Sequence, residues 1–130
     1  MITASLHDLG IICSLGTDKN SVLMNLTRKT DEEFLSLNSH LLVNGESLYV
    51  GQVNAELPSL ENEESHFNSR NNQLALAALT QIMPTIARLK AQQTSARIGV
   101  VIGTSTSGIL EGEQARASLL ATGDMPQAFH

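Results

Sequence analysis

The segment from Gly103 to Gly108 places four hydroxyl side chains between two glycines, which makes it the first candidate for ligand-binding chemistry. A phosphate-binding P-loop needs glycine, four residues, and then glycine, lysine and serine or threonine. The two glycines have that spacing, but Ile109 stands at the lysine position, so this motif fails. A dinucleotide-binding fingerprint needs a second glycine at position 105, where the sequence has Ser105, so it fails as well.

A serine nucleophile is the third chemistry to consider in this segment. The nucleophile elbow requires Gly-x-Ser-x-Gly, and Gly103 to Ser107 differs from it only at the last position, where a small residue lets the turn close. The rest of the sequence offers no well-placed histidine and carboxylate pair to complete a triad. A serine hydrolase using Ser105 is therefore kept as an alternative function.

The other nucleophilic and metal-ligating residues show no pattern that favours catalysis. Cys13 falls within a predicted strand, so we predict a small buried side chain and not a nucleophile. The acidic stretch from Glu56 to Glu64 has no ligand pair at a diagnostic spacing, so no metal and no cofactor are predicted. The four histidines lie on unrelated predicted elements: His7, His40, His66 and His130.

The elements around the loop indicate an α/β fold. The uninterrupted β-branched run at residues 98–102 predicts a strand buried on both faces, as in a parallel sheet. A helix follows from Leu110 to about Ala121 and ends at Gly123. Because ligands bind outside the carboxyl ends of strands in open α/β sheets, Gly103 to Gly108 is the predicted binding loop.

The earlier part of the chain predicts a strand, a helix and a hairpin in turn. The first strand covers Leu6 to Cys13, and the polar residues His7 and Asp8 weaken its beginning. Asp18 caps a helix over Lys19 to Arg28, which should cover that strand. Leu41 to Val43 and Leu48 to Val50 flank Asn44-Gly45, which predicts a small surface hairpin.

The longest predicted helix begins after Asn68 or Ser69 and should pack against the sheet. Pro84 lies within it and predicts a kink near Thr80, since proline removes one main-chain hydrogen bond. Its apolar stripe is formed by Leu76, Leu79, Met83, Ile86 and Leu89.

Composition limits the function classes. The 130 residues suffice for one domain, and 42% hydrophobic with 3% aromatic content predicts a modest aliphatic core. A net charge of −5, with 8 lysines and arginines and no basic cluster, argues against nucleic-acid binding. A single cysteine precludes an internal disulfide, no segment is long enough to span a membrane, and the start lacks signal-peptide features. The cytoplasm is the expected location.

Three segments together resemble the β-ketoacyl-acyl carrier protein synthases, condensing enzymes with the thiolase fold. Residues Arg97 to Ile109 are similar to that family's glycine- and hydroxyl-rich loop, and their Thr-Ser-Thr-Ser-Gly form is most similar to the branch associated with aryl polyene pathways. Leu9 to Gly16 is similar to the family's opening strand and Leu-Gly turn, and Ser69 to Leu79 to the start of a later helix. The resemblance covers only the amino-terminal part of such an enzyme.

The resemblance implies a partial thiolase-like α/β fold over residues 1–130, with a mostly parallel sheet covered by helices. It also implies an acyltransferase, an acyl carrier protein as partner, and self-association or a homodimer. The family's catalytic cysteine and histidines have no match here, so no catalytic residue is predicted and this chain should not catalyse condensation alone. The implied substrate-binding residues are Gly103, Thr104, Ser105, Thr106, Ser107 and Gly108, with Thr106 where family members gate the acyl channel. A non-catalytic acyl-binding or chain-length-modulating module is the other alternative.

Overall fold

The computed structural model contains three helices and two short strands in its described part. The helices are α1 (Lys19–Leu26), α2 (Arg70–Gln92) and α3 (Ile109–Thr122), and the strands are β1 (Ser36–Asn38) and β2 (Leu48–Val50). This mixture of helix and strand agrees with the α/β class. The structure describes residues 4–28, 34–39, 41–42, 44–60, 67–93, 97–104 and 109–126.

The chain divides into two compact units. The first comprises Met1–Glu56 and Ala78–Ile98, and the second comprises Leu57–Ala77 and Gly99–His130. Helix α2 therefore contributes its amino-terminal turns to the second unit and the remainder to the first. None of the helices in the described ranges is long and apolar enough to cross a bilayer.

Helix α1 begins at a reciprocal cap. Asp18 accepts hydrogen bonds from the main-chain N–H groups of Asn20 at 2.8 Å and Ser21 at 3.0 Å, and the Ser21 hydroxyl accepts from the Asp18 N–H at 3.3 Å. This capping box satisfies donors that the first helical turn otherwise leaves without partners. The predicted helix start is confirmed, and its end lies at Leu26 instead of Arg28.

The first strand, predicted over Leu6 to Cys13, is wrong. Residues 4–12 have no regular secondary structure, and a tight turn follows in which Cys13 and Gly16 exchange main-chain hydrogen bonds of 2.9 and 3.1 Å. A strand needs a neighbouring strand to bond its N–H and C=O groups. Here Gln81 of α2 partly supplies that role: its amide accepts from Ile11 N–H at 3.2 Å and donates to the carbonyls of Ile11 and Thr17, both at 2.9 Å.

A second anchor of this segment is Asp8. Its carboxylate accepts hydrogen bonds from Lys19 Nζ at 2.6 Å, from the Thr85 hydroxyl at 2.6 Å and from Leu9 N–H at 2.9 Å. These bonds, with that of Lys19 the strongest, lower the pKa of Asp8 to about 2. The polar residue that weakened the predicted strand therefore joins the segment to α1 and α2.

The hairpin is confirmed, but its first strand is misplaced in the prediction. β1 and β2 pair antiparallel with Ser36 opposite Val50 and Asn38 opposite Leu48. Leu42 and Gly45 close a turn through a 3.0 Å main-chain bond, and Gly45 has φ of 74°, which glycine adopts without strain. Leu42 lies in this turn and not in a strand. The first strand of the hairpin is therefore β1, which lies earlier in the chain than the predicted start at Leu41. Val43 lies outside the described residues.

The predicted strand at residues 98–102 is also absent, and so is the predicted parallel sheet among the described residues. Val100 is 47% exposed, Val101 97% and Ile102 58%, so these side chains are not core. In the described part of the chain, the only two-stranded pairing is the antiparallel one of β1 with β2. A parallel strand gains its bonds and its burial from neighbouring strands, which the described residues do not supply.

Helices α2 and α3 agree with their predicted positions. Ser69 caps α2 by accepting from Asn72 N–H at 3.2 Å, and Pro84 lies within the helix; the kink stays a prediction. Gly123, with φ of 82°, ends α3 by donating to the Leu119 carbonyl at 2.9 Å.

Apolar burial is small: among the described residues only Val22 and Ala115 are buried apolar side chains. The α2 stripe is half-buried except for exposed Met83, so its predicted packing against a sheet is not observed.

Gly10→Ala should destabilise the first unit. A Cβ at position 10 would lie 1.9 Å from the Ala78 carbonyl oxygen of α2, and main-chain atoms cannot move aside cheaply. We expect a loss of about 1–3 kcal/mol of unfolding free energy in urea titrations, typical of overpacking. Gly99→Ala is the matched control, because a Cβ there has no atom within 4 Å. Equal stability of the two variants would contradict the close packing of Gly10 on α2.

Asp8→Asn should remove part of the acid sensitivity of folding. A carboxyl whose folded pKa lies below its ordinary value of about 3.9 stabilises the fold above that value, and the contribution is lost as pH falls toward the folded pKa. With a folded pKa of about 2, the loss should fall between about pH 4 and pH 2. We expect the variant to be less stable at pH 6 and to show a shallower decline over that window in circular dichroism. Asp124→Asn, on an exposed residue, serves as control.

Candidate functional site

The predicted binding loop is described only at its beginning. Gly103 and Thr104 are exposed and follow the extended segment 98–102. Ser105, Thr106, Ser107 and Gly108 lie outside the described residues, so their substrate-binding roles, the gate at Thr106 and the Ser105 nucleophile stay predictions. The loop ends where α3 begins at Ile109.

Thr104 is held by the start of α2, within the second compact unit. Its hydroxyl donates to the side-chain oxygen of Asn71, the second residue of that helix. The same helix start carries the Ser69 cap, and Asn72 donates from its side-chain amide to the Phe67 carbonyl at 3.0 Å. The structure thus brings together two of the three segments that carry the family resemblance.

Asn71 is the residue of this site that the sequence prediction did not single out. The available signal was the polar run Asn71-Asn72-Gln73 at the beginning of an otherwise apolar helix. One capping side chain suffices for a helix start, so three further amides in succession indicate additional contacts. Neither composition nor periodicity identifies which of them reaches the distant loop.

Cys13 is half-buried and not the buried residue that was predicted. It lines an open cleft of about 220 Å³ in the first unit, together with Ser14, Thr17, Phe34, Ser36, Gln52 and Asn54 among others. The described residues that line the cleft include neither histidine nor carboxylate, so none of them can act as a general base toward the thiol.

The remaining titratable residues do not assemble a catalytic or metal site in the described ranges. His7 is exposed, and His40, His66 and His130 lie outside the described residues. No group of three histidine, cysteine or acidic residues there is arranged to hold a metal ion. The lowered pKa values of Asp8 and Asp18 follow from the bonds that hold the first segment and cap α1, so neither marks a catalytic carboxyl.

Comparison with known proteins gives one informative relative. No protein-family model matches the chain, and no curated protein matches it. A solved structure described as a ketosynthase (ApeO) in complex with its chain length factor (ApeC) from Xenorhabdus doucetiae matches with 35% identity and a TM-score of 0.75. The match covers 90% of this chain and 30% of the matched chain.

The match agrees with the α/β fold class and also with the three sequence motifs. At 35% identity over 90% of the chain, it extends across both compact units and not only the loop. The chain spans about 30% of the length of the ketosynthase-complex chain that it matches. The predicted resemblance is confirmed: the chain has a partial ketosynthase-like fold, and its similarity to the β-ketoacyl synthases lies in the aryl-polyene branch.

Proposed function

We propose that this chain is the amino-terminal portion of a β-ketoacyl-acyl carrier protein synthase-like enzyme of fatty acid or polyene biosynthesis. The observation that carries the proposal is the 35% identity to the ketosynthase complex over 90% of this chain. The three motif segments and the mixed helix and strand content support it. In such an enzyme an acyl group is first transferred from its donor thioester to cysteine, which releases the donor thiol. A malonyl donor then loses CO2, and the resulting carbanion attacks the acyl thioester and releases the cysteine thiol, so the reaction is divided into two easier steps.

In the proposed enzyme, this chain would help to bind the acyl group and to shape its cleft. Gly103 to Gly108 would line the acyl side of the cleft, presenting small hydroxyl side chains and glycine to the chain. Among the described residues that line the cleft beside Cys13 there is no base, so the proposal does not use Cys13 as the acyl carrier. The covalent step would belong to residues that this sequence does not contain.

The exposed apolar run at residues 98–102 fits the same proposal. Val101 is 97% exposed, and such a β-branched residue normally lies within a sheet. In the proposed enzyme this run is a central strand of the mostly parallel sheet, and it pairs with strands from other parts of that enzyme. A related chain would serve as subunit partner, since the matched structure is a complex of a ketosynthase with its chain length factor. The acyl carrier protein is the proposed donor.

The 130-residue chain alone should associate in solution. Exposed apolar side chains and an unpaired extended segment favour pairing with another chain. We expect a concentration-dependent mass above 14.0 kDa in light scattering. Val101→Asp should weaken association by about tenfold or more, because burying an unpaired carboxylate is costly, whereas Val101→Thr should have a small effect. A sharp monomer mass at high concentration would refute the expectation.

Thr106 substitutions test the function in the protein encoded by the complete reading frame. Each methylene admitted to an apolar channel is worth about 0.8 kcal/mol, or about fourfold. Thr106→Gly should extend loading toward longer acyl donors, and Thr106→Phe should block long donors while sparing short ones. The measurement is acyl loading by mass spectrometry with short and long donors, and the 130-residue chain alone should form no acyl adduct.

Other outcomes of these experiments would favour the alternative functions. Equal loss of all donors in both variants means that Thr106 only bonds its own turn and does not gate. Reversible acyl binding without any adduct in the complete protein favours the non-catalytic module. Ester hydrolysis that Ser105→Ala abolishes favours the hydrolase.

Location in the cytoplasm stays a prediction, which cell fractionation tests.

A further inference from the structure

The cleft of the first unit has walls from three separate segments of the chain. They are the turn at residues 13–17, the chain entering β1 at residues 34–36, and the chain that follows β2 at residues 52–55. The described residues that line the cleft all belong to the first unit, and its volume is about 220 Å³. Pockets for drug-sized ligands measure about 300–1,000 Å³, so this cleft fits a smaller molecule.

Hydrogen bonds and close packing hold these walls in place. Two main-chain bonds of 2.9 and 3.1 Å close the turn at residues 13–16, and the Gln81 amide of α2 donates to the Thr17 carbonyl at 2.9 Å. The turn also packs on the hairpin, because a Cβ at Gly51 would lie 2.6 Å from Ser14 Oγ. β1 and β2 pair with each other, which fixes the other two walls. The cleft is therefore formed before any ligand binds.

The polar part of the lining consists of groups that both donate and accept hydrogen bonds. Gln52 and Asn54 contribute primary amides, and both residues are exposed, so a molecule that enters the cleft can reach them. A primary amide donates through its nitrogen and accepts through its oxygen, so it can pair with another amide in both directions. Three hydroxyl side chains also line the cleft: Ser14, Thr17 and Ser36.

Apolar side chains supply most of the remaining described lining. They are Phe34, Leu35, Val53 and Ala55. An alkyl group of a ligand gains free energy by leaving water for such a surface. Apolar walls with a small number of polar groups are typical of small-molecule sites.

We propose that this cleft binds a small uncharged molecule in which a carboxamide group adjoins a short alkyl group. Gln52 and Asn54 bond the amide, and the apolar side chains contact the alkyl part. The described lining residues carry no charge, so an uncharged ligand suits them. Cys13 lines the same cleft and reports on its occupancy, because it is the single cysteine of the chain. The site does not depend on the proposed function.

Alkylation of Cys13 tests the site in the 130-residue chain. The thiolate attacks the iodine-bearing carbon of iodoacetamide: a C–S bond forms, iodide leaves, and the thiol proton passes to solvent. If the amide binds before it reacts, the rate should level off as the iodoacetamide concentration rises through about the millimolar range. Ethyl iodoacetate has the same leaving group but no N–H donor, so its rate should stay proportional to its concentration. Intact mass spectrometry measures both rates.

Competition and variants test which groups bind the amide. Propionamide should slow the reaction with iodoacetamide, whereas propionate at equal ionic strength should not. Gln52→Leu and Asn54→Leu should each raise the half-saturating concentration of iodoacetamide by about two- to tenfold, the usual effect of one hydrogen bond. Gln114→Leu, at an exposed position of α3, is the matched control and should leave that concentration unchanged.

Three results would overturn the proposal. They are a rate that stays proportional to iodoacetamide concentration, equal saturation with ethyl iodoacetate, and slowing by propionate that equals or exceeds the slowing by propionamide. Equal changes in Gln52→Leu, Asn54→Leu and Gln114→Leu would overturn the assignment of the amide to the cleft. Circular dichroism shows whether each variant folds, and if a cleft variant does not fold, propionamide protection of the wild-type chain decides the outcome.

Discussion

The first unit depends on one contact, that of the segment from Asp8 to Thr17 with the later part of α2. The contact is polar and close: Asp8 bonds Thr85, Gln81 bonds Ile11 and Thr17, and Gly10 lies against the Ala78 carbonyl. Hydrogen bonds require defined geometry, so they fix the segment's register on the helix more strictly than apolar packing would. The Cys13–Gly16 turn and the α1 cap lie at the end of this segment.

Polar contacts hold the described segments together because few apolar side chains are buried. Val22 and Ala115 are the buried apolar side chains of the described residues, although 42% of the sequence is hydrophobic. The unburied residues include the β-branched run at 98–102 and much of the α1 surface. Contiguous exposed apolar surface of this kind is typical of surfaces that contact other protein.

The candidate site depends on an equivalent arrangement in the second unit. Helix α2 presents Asn71 to Thr104, and α3 begins directly after the loop. Both elements are helices, and binding sites on loops are commonly positioned by such regular elements.

The sequence by itself determined the local features and the resemblance to the ketosynthases. Asp18 as a cap, Ser69 as a cap, Gly123 as a helix end and the Asn44-Gly45 turn all follow from side-chain and main-chain preferences within a few residues. The predicted resemblance rested on ordered motifs and is confirmed. The strands over Leu6 to Cys13 and 98–102, by contrast, were predicted from residue type alone. A strand forms only where a neighbouring strand bonds its main chain, so the tertiary structure decided whether these two segments became strands. The tertiary structure also decided that Asp8, Gln81 and Asn71 bond to partners far along the chain.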